Sequence, residues 1–150
     1  MPKTIAKKIT AVAVVTPKPS VEVITPPKPF KRPAILPASV YQFKPPDCDG
    51  AIYVIISNAE INGVVKPYEL FINSKDVSHQ QWVQALTRII SAVFRMGNSE
   101  MIAKELSEVF DPRGGFFVPP MREGDKGIFL PSIVAGIGHC IEIHLSELKK

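Results

Sequence analysis

The chain has 150 residues, of which 45% are hydrophobic and 21% are charged. This length fits one domain plus a tail, and the apolar content suffices for a hydrophobic core, which excludes a fully disordered chain. The net charge is +4, but residues 1–46 carry eight basic side chains against Glu22 alone, so this segment holds +7 and the remainder −3.

Two sequence features bear on the compartment. Cys48 and Cys140 are the only cysteines, and they form no Cys-x-x-Cys pair, so we expect reduced thiols in a cytoplasmic protein. No run of about 18 apolar residues predicts a membrane span. The apolar run 9–15 follows lysines as in a signal peptide, but a Lys–Pro stretch takes the place of a cleavage site, and we do not expect export.

Residues 1–31 are predicted to form an extended arm rich in proline and lysine, ahead of a domain at 32–150. Ten of the 15 prolines lie in the first 46 residues, and proline removes amide donors and stiffens the chain. Two interpretations are open: a solvated tether, or an arm that docks on a partner through short strands such as ITAVAVV and VEVIT.

The domain is expected to begin with an antiparallel hairpin. Residues 51–57 (AIYVIIS) are β-branched and aromatic, residues 58–63 (NAEING) supply turn formers, and residues 68–73 (YELFIN) alternate apolar and polar side chains. This pattern predicts a two-stranded ribbon with one covered face.

Three helices are predicted after the hairpin. The first has Ser78 as N-cap and Gly97 at its C-terminal end, with an apolar stripe at helical spacing between them. A second begins at Ser99, runs through Val109 and Phe110, and stops before Pro112. A third begins near Pro131, placed in its first turn, and carries apolar residues at Val134, Ile137, Ile141 and Leu145.

Together these elements predict an α+β fold: a β-hairpin or small sheet packed against about three α-helices, preceded by the extended Pro-rich N-terminal arm. Between the second and third helices lie about twenty residues rich in Pro and Gly, a length typical of functional or mobile loops.

That loop contains FDPRGGFF at residues 110–117. Gly114 and Gly115 allow positive φ angles, successive amides in such a turn can hold an anion, and Arg113 adds a fork suited to phosphate or carboxylate. The alternative is structural: Phe110, Phe116 and Phe117 pin the loop to the core, while Arg113 pairs with Asp111 or a helix C-terminus.

Two further groups of side chains are candidates for binding. Arg88 and Arg95 lie on similar sides of the first helix and, with Lys75, form either a basic edge for an anion or partner, or an ordinary solvated face. Cys140 and His144 are four residues apart, but zinc needs three or four ligands. We therefore predict no metal site, with Cys140 in the core and His144 on the surface.

Several segments together resemble the TSCPD domain: FINSKDVSHQQWVQALTRIISAVFRMG (71–97), ELSEVFDPRGG (105–115) and PSIVAGIGHCIEIHL (131–145), preceded by RPAILPASVYQFKPPD (32–47). The resemblance covers roughly residues 32–146. That domain occurs at the C-terminal end of adenosylcobalamin-dependent (class II) ribonucleotide reductases and as a separate small subunit or stand-alone protein.

The sequence departs from the family pattern in two ways. The name-giving Thr-Ser-Cys-Pro-Asp motif is absent, as is the Cys-rich segment that members often carry after the last helix. We therefore expect neither thiol–disulfide exchange nor zinc binding by that route. The resemblance implies that cobalamin chemistry belongs to a large partner subunit, so this chain itself binds no cofactor.

The resemblance thus implies a non-catalytic accessory or regulatory module of a class II ribonucleotide reductase system, supporting deoxyribonucleotide synthesis and encoded by a phage. No Ser–His–acid order or paired-carboxylate pattern predicts catalysis by this chain alone. The alternatives are a nucleic-acid-binding module using the basic arm, an inhibitor that mimics the reductase domain, and a nucleotide-binding role for Arg113 and its loop.

Overall fold

The computed structural model describes residues 30–150, so the predicted arm lies outside the described residues except for its last two positions. Three antiparallel strands form one sheet in the order β1 (Ala38–Phe43), β2 (Ile52–Ile61), β3 (Val64–Ser74). Three helices follow, α1 (Gln80–Arg95), α2 (Ser99–Ser107) and α3 (Ile133–Leu148). The predicted α+β class is confirmed.

The β2–β3 hairpin is longer and tighter than predicted. Only Asn62 and Gly63 make the turn, with φ angles of 54° and 77°, so both central residues are left-handed as a two-residue type I′ turn requires. The predicted turn at 58–63 was wrong because most of this segment continues β2. A register shift between Ser57 and Asn58 marks a bulge at this point.

Strand β1 pairs along its length with β2, from Ala38 opposite Ser57 to Phe43 opposite Ile52. Because side chains alternate across a strand, one face of the sheet is buried under the helices while the other stays exposed. The covered face supplies the core residues Tyr41, Phe43, Ile52, Val54, Ile56, Leu70 and Ile72. The open face presents Val40, Tyr53 and Phe71.

The ends of α1 show which capping signals were identified correctly. A short 3-10 turn, Val77–His79, precedes the helix, and the Asp76 carboxylate accepts a hydrogen bond from the Ser78 amide at 2.9 Å. Ser78 is therefore the capped residue and the predicted N-cap was wrong by two positions. Gly97 (φ 80°) closes the helix as predicted, because its amide donates to Phe94 and that of Asn98 to Val93.

Helix α1 also covers the outer edge of the sheet. The Ser91 hydroxyl accepts from the Leu70 amide at 3.0 Å and donates to the Leu70 carbonyl at 3.3 Å. These are backbone groups of β3 that face away from β2. Unpaired backbone groups on an edge strand invite association with other chains, and the Ser91 side chain satisfies two of them here.

Helices α2 and α3 pack closely through a glycine. A Cβ at Gly138 would come within 2.8 Å of the Ser107 amide and hydroxyl and within 2.9 Å of the Ala103 carbonyl.

Helix α2 begins at Ser99 as predicted but ends at Ser107, leaving Val109 and Phe110 outside it. Helix α3 is capped by the Ser132 hydroxyl, which accepts from the Ala135 amide at 3.0 Å. Pro131 thus lies before the cap, and its predicted place in the first turn was wrong.

The segment between α2 and α3, predicted as a long loop, contains a second, two-stranded antiparallel sheet. Strands β4 (Phe116–Val118) and β5 (Ile128–Leu130) pair residue by residue.

Within the described part of the chain, no helix has both the length and the apolar character needed to cross a membrane.

Candidate functional site

The loop at 110–117 holds its arginine in an internal ion pair. The Asp111 carboxylate accepts three hydrogen bonds from Arg113, from the amide at 2.9 Å, Nε at 3.1 Å and Nη2 at 2.8 Å. The hydrogen bonds from the guanidinium lower the pKa of Asp111 to about 2. This is the pairing expected by the structural alternative for Arg113.

The two glycines of this loop have different physical roles. Gly114 adopts φ 120°, a conformation that residues with a side chain rarely take, and its amide donates to the Asp111 carbonyl at 3.0 Å. Gly115 instead provides space, because a Cβ there would overlap the Leu130 carbonyl oxygen and come within 2.7 Å of the Phe129 ring. The Arg113 and Gly114 amides both donate hydrogen bonds within the turn. The anion-binding role of this loop stays a prediction.

Of the three phenylalanines expected to pin the loop, only Phe116 does so. Phe116 is buried and stacks on Phe43 with ring centroids 6.2 Å apart. Phe110 is 72% exposed, and Phe117 is 63% exposed. The expectation for those two was wrong because Phe110 lies beyond the end of α2 and Phe117 lies on the outer face of β4.

Phe117 and Phe129 form what we call the aromatic pair. They lie opposite each other on β4 and β5, and each is 63% exposed. The Phe117 ring lies over Gly127 and the Phe129 ring over Gly115, so each ring covers the glycine that immediately precedes the neighbouring strand. The hairpin therefore presents two well-supported aromatic rings to solvent.

Arg88 and Arg95 both line a cleft at a second location, which we call the β3–α1 cleft. The cleft has a volume of about 250 Å³. It is lined by Glu69, Phe71, Thr87, Arg88, Ser91 and Arg95. Lys75 does not line it: its side chain packs over Gly50, with Lys75 Cβ 3.5 Å from where a Gly50 Cβ would stand. The six sequence-predicted site residues thus lie in three separate places.

The charge of the cleft depends on how far the arginines near Glu69 neutralise its carboxylate. Arg32 binds the Glu69 carboxylate with both arms of its guanidinium, at 2.7 and 2.8 Å. These hydrogen bonds, with a smaller contribution from the field of Arg95, lower the pKa of Glu69. Arg95 also lies over the Tyr68 ring, 5.9 Å from its centroid.

His144 was predicted on the surface, and this was wrong: only 1% of it is exposed. Its Nδ1 lies 2.9 Å from the Tyr41 hydroxyl, which donates to Glu147 at 2.8 Å, and its Nε2 lies 2.8 Å from the side-chain oxygen of Asn58. A neutral ring is satisfied when Nδ1–H donates to Tyr41 and the Asn58 amide turns its NH₂ toward Nε2. Burial lowers the pKa of His144, opposed by Glu147.

Both cysteines are poorly placed as nucleophiles. Cys140 is fully buried in the core, as predicted, and burial raises the pKa of its thiol to about 12. Cys48 is 7% exposed; burial, together with Asp76 and Asp47, raises its pKa as well. A thiolate is the reactive form, so neither thiol is activated for attack. Among the side chains that the structure describes, which are those of residues 30–150 except His79, no three His, Cys, Asp or Glu converge as a metal site would require.

Sequence reasoning missed three features of these sites: the β4–β5 hairpin, the aromatic pair and the buried histidine. The hairpin had a signal, since FFV and IFL are short β-prone segments separated by turn residues. His144 also had one, because it follows Ile137, Cys140 and Ile141 on the same helical stripe.

Comparison with protein families identifies the family that this sequence matches. The family model described as the TSCPD domain matches residues 26–145, which is most of the chain and begins six residues before the start predicted above. No curated protein and no solved structure matches the chain.

Proposed function

The chain belongs to the TSCPD domain family, and from this premise we propose that it is a non-catalytic accessory module of a class II, adenosylcobalamin-dependent ribonucleotide reductase system. The family match carries the proposal, because this domain accompanies such reductases. On this account the radical chemistry and the cobalamin belong to the large subunit, while this chain supplies a binding surface.

The chemistry of the described residues supports a binding role over a catalytic one. Cys48 and Cys140 are buried with raised pKa values, and His144 is enclosed in the core. Asp111 and Arg113 neutralise each other at the surface. These five side chains are thus shielded or already paired.

The aromatic pair is the surface that we propose contacts the large subunit. Exposed aromatic side chains are enriched among residues that dominate protein interfaces, because a rigid ring buries a large area at small entropic cost. Phe117 and Phe129 fit this description, since each ring is held over a glycine while 63% of the residue stays exposed. The hairpin is therefore a better candidate for this contact than a helical face.

The described part of the chain begins beside β3. The Phe30 ring meets the Tyr68 ring edge-on with centroids 5.1 Å apart, and Arg32 is bound to Glu69. These contacts hold Phe30 and Arg32, where the described part of the chain begins, against that edge of the sheet. A tethering role for residues 1–29 is part of the proposal.

The test is to measure binding and turnover with a purified class II large subunit. We expect the intact chain to bind and to raise turnover. The double variant Phe117→Ala, Phe129→Ala should bind about a hundredfold more weakly, or tenfold for each ring. Phe110→Ala is the matched control, because this exposed ring lies outside the hairpin.

The sign of the effect on turnover separates two functions. An increase supports an accessory module, whereas inhibition by the intact chain that is lost in the double variant supports the inhibitor alternative. Equal binding by the double variant and the wild type would remove the aromatic pair as the contact surface. Failure of the intact chain to bind at all would remove the proposed function.

A further inference from the structure

We propose that the β3–α1 cleft binds the phosphate group of a small phosphorylated molecule between Arg88 and Arg95. This inference does not depend on the proposed function, since it rests only on the side chains that line the cleft. It also separates these two arginines from Arg113 and Lys75, which lie elsewhere.

The geometry of α1 brings the two arginines together. They are seven residues apart, close to two full helical turns, so both project from the side of α1 that faces β3. Ser91 lies between them and is hydrogen-bonded to the edge of β3, which fixes the helix against the strand at this point. The cleft is thus built on two rigid elements.

The charge balance of the cleft favours an anion. Arg88 has no ion-pair partner among residues 30–150. Glu69 is the one carboxylate in the lining, and Arg32 already binds both of its oxygens. Three arginines therefore surround one carboxylate in a domain whose remaining residues are net acidic.

Thr87 supplies an independent observation. It is 7% exposed, lines the cleft, and its hydroxyl has no hydrogen-bond partner among residues 30–150. Buried hydroxyls are normally hydrogen-bonded, so an unpaired one calls for an explanation, and a bound ion is one such explanation. Threonine in a helix has two accessible χ1 rotamers, so one side-chain rotation can turn the hydroxyl toward the bound group.

The size and donor set identify the ligand class. At about 250 Å³ the cleft is smaller than the roughly 300–1,000 Å³ of pockets that enclose whole drug-sized ligands, so it fits a charged head group. Two guanidinium forks match the oxygens and double charge of a phosphate better than those of a single carboxylate. The Phe71 ring, 49% exposed, lines the cleft and offers an apolar surface to the rest of the molecule.

The experiment is a titration of the intact ¹⁵N-labelled chain with pyrophosphate, followed by NMR, with ATP and a hexaglutamate peptide as parallel probes. We expect saturable shifts of backbone amides in β3 and in α1 near Arg88 and Arg95. ATP binding more tightly than pyrophosphate would support an additional contact of its organic part with Phe71.

Variants assign the binding to the cleft. Arg88→Gln and Arg95→Gln should each weaken pyrophosphate binding about tenfold, and Thr87→Val about two- to tenfold. Arg122→Gln is the matched control and should leave the affinity unchanged, because this arginine is paired with Asp125 and lies outside the cleft. Circular dichroism and thermal unfolding establish that each variant is folded.

Three results would overturn the inference. The first is the absence of saturable binding at millimolar pyrophosphate. The second is equal affinity in the folded Arg88→Gln, Arg95→Gln double variant, which would place binding on the arm or elsewhere. The third is arginine-dependent binding of hexaglutamate without binding of pyrophosphate, which would make the cleft a site for acidic peptides.

Discussion

Tyr41 on β1 and His144 on α3, 103 positions apart in the chain, are joined by a buried hydrogen bond of 2.9 Å. The bond fastens the last helix to the first strand of the sheet. It is continued on one side to Asn58 and on the other to Glu147, which also meets Arg122 at 3.4 Å. This polar cluster spans β1, β2 and α3 within an otherwise apolar core.

The cluster predicts a stability that depends on pH. The pKa of His144 is lowered from its ordinary value of 6.5 by burial, so the unfolded chain takes up a proton at a higher pH than the folded chain. The free energy of unfolding should therefore be highest above pH 6.5 and fall as the pH drops below it. Urea unfolding of the wild type and His144→Gln at several pH values measures this. His144→Gln should lose this fall in the free energy of unfolding at low pH, whereas His139→Gln should keep it. The same pH dependence in His144→Gln as in the wild type would contradict this explanation.

The edge contact between α1 and β3 predicts that removing two buried hydroxyls changes the free energy of unfolding differently. Ser91→Ala should lower the free energy of unfolding by about 1–3 kcal/mol, because it leaves the Leu70 amide and carbonyl unpaired. Thr87→Val should be neutral or stabilising, because the Thr87 hydroxyl has no hydrogen bond to lose within the described part of the chain. Chemical denaturation of the two variants checks the pair, and equal destabilisation would contradict it.

The two glycines under the aromatic pair should respond differently to a methyl group. At Gly115 the added Cβ overlaps a backbone atom, the Leu130 carbonyl oxygen, which cannot move without disturbing β5. At Gly127 it meets only the far end of the Phe117 ring, and that exposed ring can turn away. Gly115→Ala should therefore cost about 1–3 kcal/mol of unfolding free energy. Gly127→Ala should cost clearly less, and the reverse order in thermal unfolding would refute the assignment.

The loop ion pair predicts a change in one titration. In the wild type, hydrogen bonds from Arg113 lower the pKa of Asp111 to about 2. Arg113→Gln removes the charge and the guanidinium donors, so the Asp111 pKa should rise toward its ordinary value of 3.8. Because this pKa is lowered in the folded state, the stability contributed by the pair is present above pH 3.8 and is lost as the pH falls toward 2. NMR titration of the Asp111 side-chain carbon tests this, and an unchanged pKa would show that other groups cause the shift.

The sequence predicted the helices better than the strands because their local signals were stronger. Apolar spacing and Gly97 located α1 and its end, while propensity alone could not show that Asp76 rather than Ser78 caps the preceding turn. Asn62 and Gly63 are the only left-handed pair in the hairpin, and the other turn-forming residues before them were outweighed by pairing with β3. Tertiary pairing overrides local preference in such strands.

The candidate sites were harder to predict, because each depends on which elements meet in space. Arg88 and Arg95 were predicted to lie on similar sides of a helix, but the cleft also needs Phe71 and Glu69 from β3. His144 was assigned to the surface because histidine is buried less often than cysteine; its partners Tyr41 and Asn58 lie far away in sequence.

The structure also changes how the arm should be tested. A deletion of residues 1–46 would remove β1, including Tyr41 and Phe43 of the core, and would unfold the sheet. A deletion of residues 1–29 leaves Phe30, Arg32 and every described strand in place. The shorter deletion therefore separates the contribution of the arm from that of the folded domain.

Affinity purification from the native cells, using the intact chain, its 1–29 deletion and the Phe117→Ala, Phe129→Ala variant, tests the central claim most directly. The account predicts that the intact chain enriches a ribonucleotide reductase large subunit, identified by mass spectrometry, that the deletion retains part of it, and that the double variant loses it. If the folded, intact chain enriches no reductase subunit although one is expressed in those cells, the claim is contradicted.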